Sequence, residues 1–517
     1  MNYSSILNIL KAPVWYMVSH LPEENTLGQF GKLAAVSLAV YYASDKLYCA
    51  FFGPLSKIPG PFIDKFFYEP EGVLFSHIGK KSIRYLDYHE KYGPVIRVGP
   101  KTISISDKTM LKQVLVTEDL EKGPVYSILQ NPGNESMFDA RDKTYHKNNR
   151  RMYSPAFSVK YINSIEPIMR SCTEIMAQKI NSDIERTKGD GEYGTVDVWY
   201  LFQCLALDVI GESGFGSNFN TVGDEDHPIP QCLKKNMNGA AYFVSHPWIT
   251  LLIAMSGLMT ITPLATHMLE IVKDRVEGRT KRREDILQIM IDNERAKNGD
   301  KPLDIMRIAR STVMFVIVGS ETTSNTTGFA IIELCRSPDT MKRLRDEIDA
   351  IQLPEGETTF HQDQLKNLPY LNAVLNETLR LDSITASGLE RIATQDSVLA
   401  GTVFVPKGTI VNCNILSAHR RADYWPEPLA FKPERWLPDY EHKPALDAYH
   451  PFSSGSRNCI GKSYALNEMR HTIAMIIKNY EIKPIPEEME ASKNICGFLT
   501  LTVRSGSFKI QLKPRSA

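Results

Sequence analysis

Residues Pro451 to Gly461, Pro-Phe-Ser-Ser-Gly-Ser-Arg-Asn-Cys-Ile-Gly, constrain this chain more than any other stretch. Cys459 sits in a loop of small and polar residues between Gly455 and Gly461. An apolar-periodic run, Tyr464 to Ile477, follows at once and predicts a helix. A thiolate at that place faces the positive end of the helix and the free N–H groups of its first turn, which stabilise the anion. The glycines let the backbone approach a flat group more closely than side chains would allow. The loop alone leaves two readings open: a held, reactive thiolate, or an ordinary turn with a buried cysteine.

The 517 residues, 43% hydrophobic, are enough to bury a sizeable core, and length alone suggests two to four domains. The formal net charge is zero, which gives no global argument for nucleic acid, and no nucleic-acid partner is expected. Eight cysteines are scattered without C-x-x-C pairs. That spacing argues against a zinc module or a disulfide scaffold and favours a reducing compartment.

The pattern Phe-x-x-Gly-x-Arg-x-Cys-x-Gly, carried by Phe452, Gly455, Arg457, Cys459 and Gly461, resembles position for position the haem-ligand signature of the cytochrome P450 family. The resemblance implies that Cys459 is the axial thiolate on the iron of haem b (iron-protoporphyrin IX), the ligand that favours O–O cleavage. It also implies a mainly α fold, the cytochrome P450 fold, with a helix-rich haem domain and a small β-sheet region. Three further motifs extend the resemblance over residues from about 60 to 515, and they fall where the family would have them.

Two apolar stretches open the sequence. Ile6 to Leu21 is interrupted by Lys11 and Pro13 and fits an interfacial helix or partial span better than a full one; a signal peptide over residues 1–21 is the alternative, weakened by Lys11. Leu33 to Phe52 is about long enough to cross a bilayer, with Asp45 and Lys46 towards one end. Basic residues downstream place the bulk of the chain on the cytoplasmic side. Pro54 and Pro59-Gly60-Pro61 then form a stiff, helix-breaking connector. The expected division is an N-terminal membrane anchor and hinge at 1–54 and a haem-thiolate catalytic domain at 55–517, of the membrane-bound, fungal microsomal type, on the endoplasmic reticulum membrane. Tyr242 to Met268, apolar with almost no charge, is expected to be a second membrane-contacting or ligand-admitting surface, with plain core as the alternative.

Val95 to Val98 and Ile103 to Ile105 alternate across Gly99-Pro100 and predict a strand pair. Residues 121–140 form a turn-rich loop carrying Tyr126 and Ile128, one wall of a substrate pocket by resemblance. His146 and Arg150, four apart, share a helix face. A solvated basic face is the plain reading. The resemblance instead matches them to a Trp-x-x-x-Arg pair that contacts a haem propionate, with His146 in place of tryptophan. Val196 to Phe215 reads as a core helix without chemistry.

From Leu303 to Ile332 a long apolar helix is expected, broken in its middle at Val318-Gly319-Ser320-Glu321-Thr322-Thr323. This segment resembles the family's oxygen-activation motif, with Glu321 and Thr322 as the acid–alcohol pair and Val318 bulkier than the usual first residue. Glu377 and Arg380, three apart, can pair on a helix face. They match the family's Glu-x-x-Arg, which interlocks with an arginine supplied here by Arg435. Ser383 stands where proline is common, so the loop Ser383 to Leu389, with Ile384 facing the pocket, should be less rigid. Arg391 corresponds to a second propionate ligand, and Phe498 and Leu499 to the last pocket-lining turn.

The function implied is insertion of one atom of O₂ into a lipophilic small molecule such as a steroid, terpenoid or fatty acid. Electrons are expected from an NADPH-dependent flavoprotein reductase on the same membrane. The rivals are a haem-thiolate isomerase or dehydratase that does not use O₂, and a non-catalytic haem sensor. The first often lacks the acid–threonine pair and the second has no need of it.

Overall fold

Apolar periodicity becomes helix along most of the chain. The computed structural model describes residues 26–68, 79–128, 135–246, 262–298, 302–353, 359–497 and 500–515. Helix α1 (Thr26–Phe51) comes first and exposes Leu38, Tyr41 and Tyr42. Among the described residues no helix is long and apolar enough to cross a membrane. The run Leu33–Phe52 therefore finds no support as a full span: Asp45, Lys46 and the tyrosines dilute its apolar character. Residues 1–25, with the first apolar stretch, lie outside the described residues.

Strands β1 (Val95–Gly99) and β2 (Thr102–Ile105) follow the hinge, then β3 (Glu121–Lys122) and helix α2 (Lys143–Tyr153). Helix α3 (Val198–Phe215) is buried along most of its length. Helix α4 (Pro263–Val276) starts at Thr262, whose hydroxyl accepts from the Ala265 N–H at 3.3 Å. Next come α5 (Ile305–Arg336), α6 (Pro369–Leu381), β4 (Leu389–Ile392), β5 (Ile410–Cys413), α7 (Lys462–Asn479), β6 (Ile495–Gly497) and β7 (Leu501–Val503).

The largest sheet runs β1-β2-β5-β4-β3. Its β2–β5 pair is parallel and its other pairs are antiparallel. A parallel pair needs both faces covered, and every residue of β2 is buried. The predicted Val95–Val98 and Ile103–Ile105 pair is β1 with β2. The proline hinge is docked on this sheet. The Arg97 N–H donates to the Pro59 carbonyl at 2.7 Å, and the fully buried Arg97 guanidinium donates to the carbonyls of Cys49 (2.8 Å) and Leu55 (3.3 Å). A Cβ at Gly60 would lie 2.2 Å from the Arg97 carbonyl oxygen, so only glycine lets the chain come this close.

The expected break in the long helix is absent: α5 runs unbroken from Ile305 to Arg336. Its hydroxyls bond back one turn without opening the ladder, Ser320 to the Val316 carbonyl at 2.8 Å and Thr322 to the Val318 carbonyl at 3.0 Å. Gly319 serves packing, since a Cβ there would meet Ile210 of α3 at 3.3 Å. Of the apolar segment Tyr242–Met268, residues 247–261 lie outside the described residues, while Leu264 and Met268 are buried in the main core. That end of the segment is core because α4 packs along α5.

Candidate active site

Cys459 sits just before α7, its N–H donating to the Phe452 carbonyl at 2.9 Å. Phe452 is half-buried and packs on the main core. Among the eight cysteines Cys459 alone is exposed. Dense protein on its remaining sides still raises its pKa, against the opposing pull of the Gly461 N–H, Arg150 and Lys462. Burial is the larger effect on this thiol, and the Gly461 N–H beside the helix start works in the direction the sequence implied. Gly455 has φ +73°, and a Cβ on it would lie 1.9 Å from the Leu115 carbonyl oxygen. Gly461 closes the loop, and a Cβ on it would stand 3.9 Å from the Cys459 Sγ.

Buried cations converge near this loop from three parts of the chain. Arg457 donates to the carbonyls of Ala140 (2.7 Å) and Arg141 (3.0 Å). Arg391, on β4, donates to the Glu390 carbonyl at 2.9 Å. Lys122, on β3 beside β4, donates to the Phe138 carbonyl and stands over the Tyr126 ring at 4.6 Å. Burial, then Arg391 and Arg457, push the Lys122 pKa down to about 7. His146 is buried, and burial plus the charges of Arg457, Lys122, Arg150 and Arg391 push it to about 3, so its imidazole is neutral. These hydrogen bonds all go to neutral carbonyls. Buried cations normally pair with anions, so the cluster fits a ligand carrying carboxylates beside an available cysteine, as haem propionates beside the axial thiolate would.

Arg150 differs from the others. Its guanidinium grips Asn458, Nη1 to the carbonyl at 2.6 Å and Nη2 to Oδ1 at 2.5 Å, so in this structure it braces the cysteine loop. Lys122 was missed by sequence reasoning because Arg391 and Arg457, the cations it joins, lie hundreds of residues away and nothing local marks it as buried. Tyr126 is buried beside Lys122 and Phe138. Ile128 closes a short helix, Val125–Ile128, and its side chain is not among those described.

The acid–alcohol pair lies on α5. Glu321 is buried and held by Gln203 of α3, whose Nε2 donates to Oε1 at 2.6 Å, and by Asn325 Nδ2, 3.5 Å from Oε2. Burial raises the Glu321 pKa to about 7 and these two amides oppose the rise. Gln203 gives α3, read from sequence as a core helix without chemistry, a polar contact with this acid; a lone glutamine in an apolar run gave no signal of its partner. Val318 is half-buried and its carbonyl accepts the Thr322 hydroxyl. Ile384 is buried in the main core, and its carbonyl accepts from the Leu501 N–H at 3.0 Å. Phe498 and Leu499 lie outside the described residues.

Behind the site, Glu377 and Arg380 of α6 form a fully buried bidentate pair at 2.7 and 2.9 Å. Arg435 Nε joins the same carboxylate at 3.1 Å and Trp436 Nε1 at 3.0 Å. The Pro433–Trp436 turn is thereby fixed to α6 ahead of the cysteine loop.

A family model described as Cytochrome P450 matches residues 73–511. A relative from a Fusarium species, cytochrome P450 monooxygenase LUC2, is 31% identical, covering 85% of this chain and 86% of its own. Cytochrome P450 monooxygenase acrD of Aspergillus aculeatus is also 31% identical, with 85% and 88% covered. A crystal structure of a cytochrome P450 superposes with a TM-score of 0.70 over 84% of this chain and 94% of its own, at 22% identity, a likeness of fold.

Proposed function

Because the chain belongs to the cytochrome P450 family and is a haem-thiolate monooxygenase, we propose that Cys459 is its iron ligand and that Glu321 and Thr322 deliver protons during oxidation of a lipophilic substrate. Haem, when bound, supplies the activation of O₂. Arg391, Arg457, Lys122 and neutral His146 would hold its propionates, while Arg150 fixes the loop that presents Cys459. The Glu321 carboxyl, with a pKa near the operating pH, can hold a proton and release it, as a relay acid must. Thr322 lies next to it and keeps its hydroxyl on the α5 backbone. The observation that carries this reading is the buried, amide-held Glu321 beside Thr322 in the middle of an unbroken α5.

An NADPH-dependent flavoprotein reductase is proposed as electron donor, and the endoplasmic reticulum membrane as the site of action, with the catalytic domain cytoplasmic. Support for the membrane comes from exposed apolar side chains on α1 and from the aromatic cluster at its end. Phe51, Phe62 and Phe66 stand 5.4–6.4 Å apart, and Phe52 and Phe67 are exposed beside them in sequence. Such a surface suits the interface between headgroups and acyl chains, with α1 lying along it.

Thr322→Ala tests the relay. A positioned proton donor contributes typically about 10²–10⁴ in rate. Haem content and substrate binding should stay intact, while product formed per NADPH consumed falls and hydrogen peroxide rises. An unchanged ratio would reject Thr322, and product formed without O₂ would reject the monooxygenase role of this site.

A further inference from the structure

Helices α3 and α5 approach closely at two glycines of α5. A Cβ at Gly328 would lie 2.4 Å from the Trp199 ring, and one at Gly319 would lie 3.3 Å from Ile210. Trp199, Gln203 and Ile210 follow one another at spacings of four and seven residues, so they share one face of α3. Glu321 lies between the two glycines on α5. The close approach on both sides sets Gln203 against the acid, its Nε2 donating to Oε1 at 2.6 Å. Burial and two amides, those of Gln203 and Asn325, are what act on Glu321; no charged side chain among the described residues does.

A buried acid that carries protons has to be accommodated in two states. As a carboxylate it needs a donor, and as a carboxyl it needs an acceptor for its proton. A cation in place of Gln203 would serve the first state only, and an apolar side chain would serve neither and favour the neutral form. A primary amide presents a donor and an acceptor of the same shape, exchanged by a half-turn about its last bond, a broad and roughly two-fold torsion. Gln203 is half-buried, and neither of its amide atoms is sealed away without a partner. Asn325 cannot make this exchange, because its Nδ2 also donates to the Leu501 carbonyl at 3.2 Å, which only accepts.

We infer that Gln203 is a positioning residue for the relay acid: its neutral amide turns with the protonation state of Glu321, donating to the carboxylate and accepting from the carboxyl, and so holds the side chain in place through both. This rests on the relay reading above and assigns what keeps the acid there while its proton comes and goes.

The test uses the haem-loaded full chain and the infrared carbonyl band of protonated Glu321, assigned by its loss in Glu321→Gln. The band is followed against pH in wild type, Gln203→Leu and Gln203→Lys. Wild type should titrate at about 7. A hydrogen bond to a carboxylate is strong enough to move its titration by about one pH unit or more, so Gln203→Leu should titrate that much higher. Its band should also sit at higher frequency, because the carboxyl proton has lost its acceptor. Gln203→Lys should titrate below wild type. A residue that only packs α3 on α5 would change the melting temperature without moving the midpoint in opposite directions. In Gln203→Leu an unmoved midpoint removes the donation and an unmoved frequency removes the acceptance, and either overturns the inference. If Gln203→Lys fails to fold, the leucine variant decides alone. Product formed per NADPH consumed by Glu321→Gln tests the relay reading separately. An unchanged ratio there rejects Glu321 as the relay acid, whereas a lowered ratio with an unmoved Gln203→Leu titration rejects only the role of Gln203.

Discussion

Burial works against the Cys459 thiolate, and the Gly461 N–H, Arg150 and Lys462 work for it. A coordinating metal settles such a contest, because a metal-bound thiol is deprotonated outright. Cys459→Ser should therefore abolish the thiolate-type absorption of the reduced, carbon-monoxide-bound protein while leaving the fold intact. A serine variant that keeps the band would move the ligand to another cysteine, yet the remaining seven are buried or half-buried. Lys122 gives a second residue-scale prediction. Its folded pKa, about 7, lies below the ordinary lysine value near 10.4, so between those values the unfolded chain binds the extra proton. Stability of the haem-free protein should then rise with pH from about 7 towards about 10, and this group's share is lost as pH falls. Lys122→Met should flatten that rise in thermal melts, and a wild-type slope in the variant would remove Lys122 as its source. Haem binding should flatten it too, by pairing the ammonium with a carboxylate.

At the scale of elements, the interlock of α6 with the Pro433–Trp436 turn decides whether the cysteine loop has a platform. Among the described residues Glu377 is the carboxylate that joins two buried guanidinium groups, at 2.7–3.1 Å. Removing one member of a buried ion network costs about 3–5 kcal/mol, because charges are left uncompensated. Glu377→Gln, which keeps the shape, should cost that order of stability and lower haem occupancy. The exposed i,i+4 pair Lys342–Asp346 is the contrast: Asp346→Asn should change the melt by under about 1 kcal/mol. Equal effects from the two variants would deny the interlock its special place. This interlock was legible in the sequence because both ends carry motifs, Glu-x-x-Arg and Pro-Glu-Arg. The hydroxyls of α5 were legible as back-bonding groups but misread as a break, since each replaces no backbone bond. Gln203 and Lys122 were not legible. Gln203 meets an acid on a distant helix, and Lys122 is buried under Tyr126 and Phe138 beside the distant Arg391 and Arg457; neither residue type signals burial by itself.

The whole molecule adds a constraint that no single element shows. The hinge looked like a spacer between membrane and enzyme, yet Arg97 in the sheet takes the carbonyls of Cys49 and Leu55 as acceptors, and its N–H binds Pro59. A chain starting at Ser56 would remove two of the four carbonyls that the fully buried Arg97 guanidinium donates to, leaving Gly99 and Pro100 and taking the acceptor of Nη1. Leaving a buried donor unsatisfied costs about 1–3 kcal/mol, and more for a charged group. A chain starting at Lys46 would discard most of α1 but keep Cys49 and Leu55. Two chains shortened by nearly the same amount should thus behave differently. Both should lose most membrane association, with weak lipid binding left through Phe62 and Phe67. The Lys46 chain should melt like the full protein, and the Ser56 chain should melt lower. Vesicle flotation and thermal melts of the three chains check this. Equal melting of the two short forms would return the hinge to the role of a spacer, and undiminished flotation of the Lys46 chain would place the membrane contact on the folded body and not on α1.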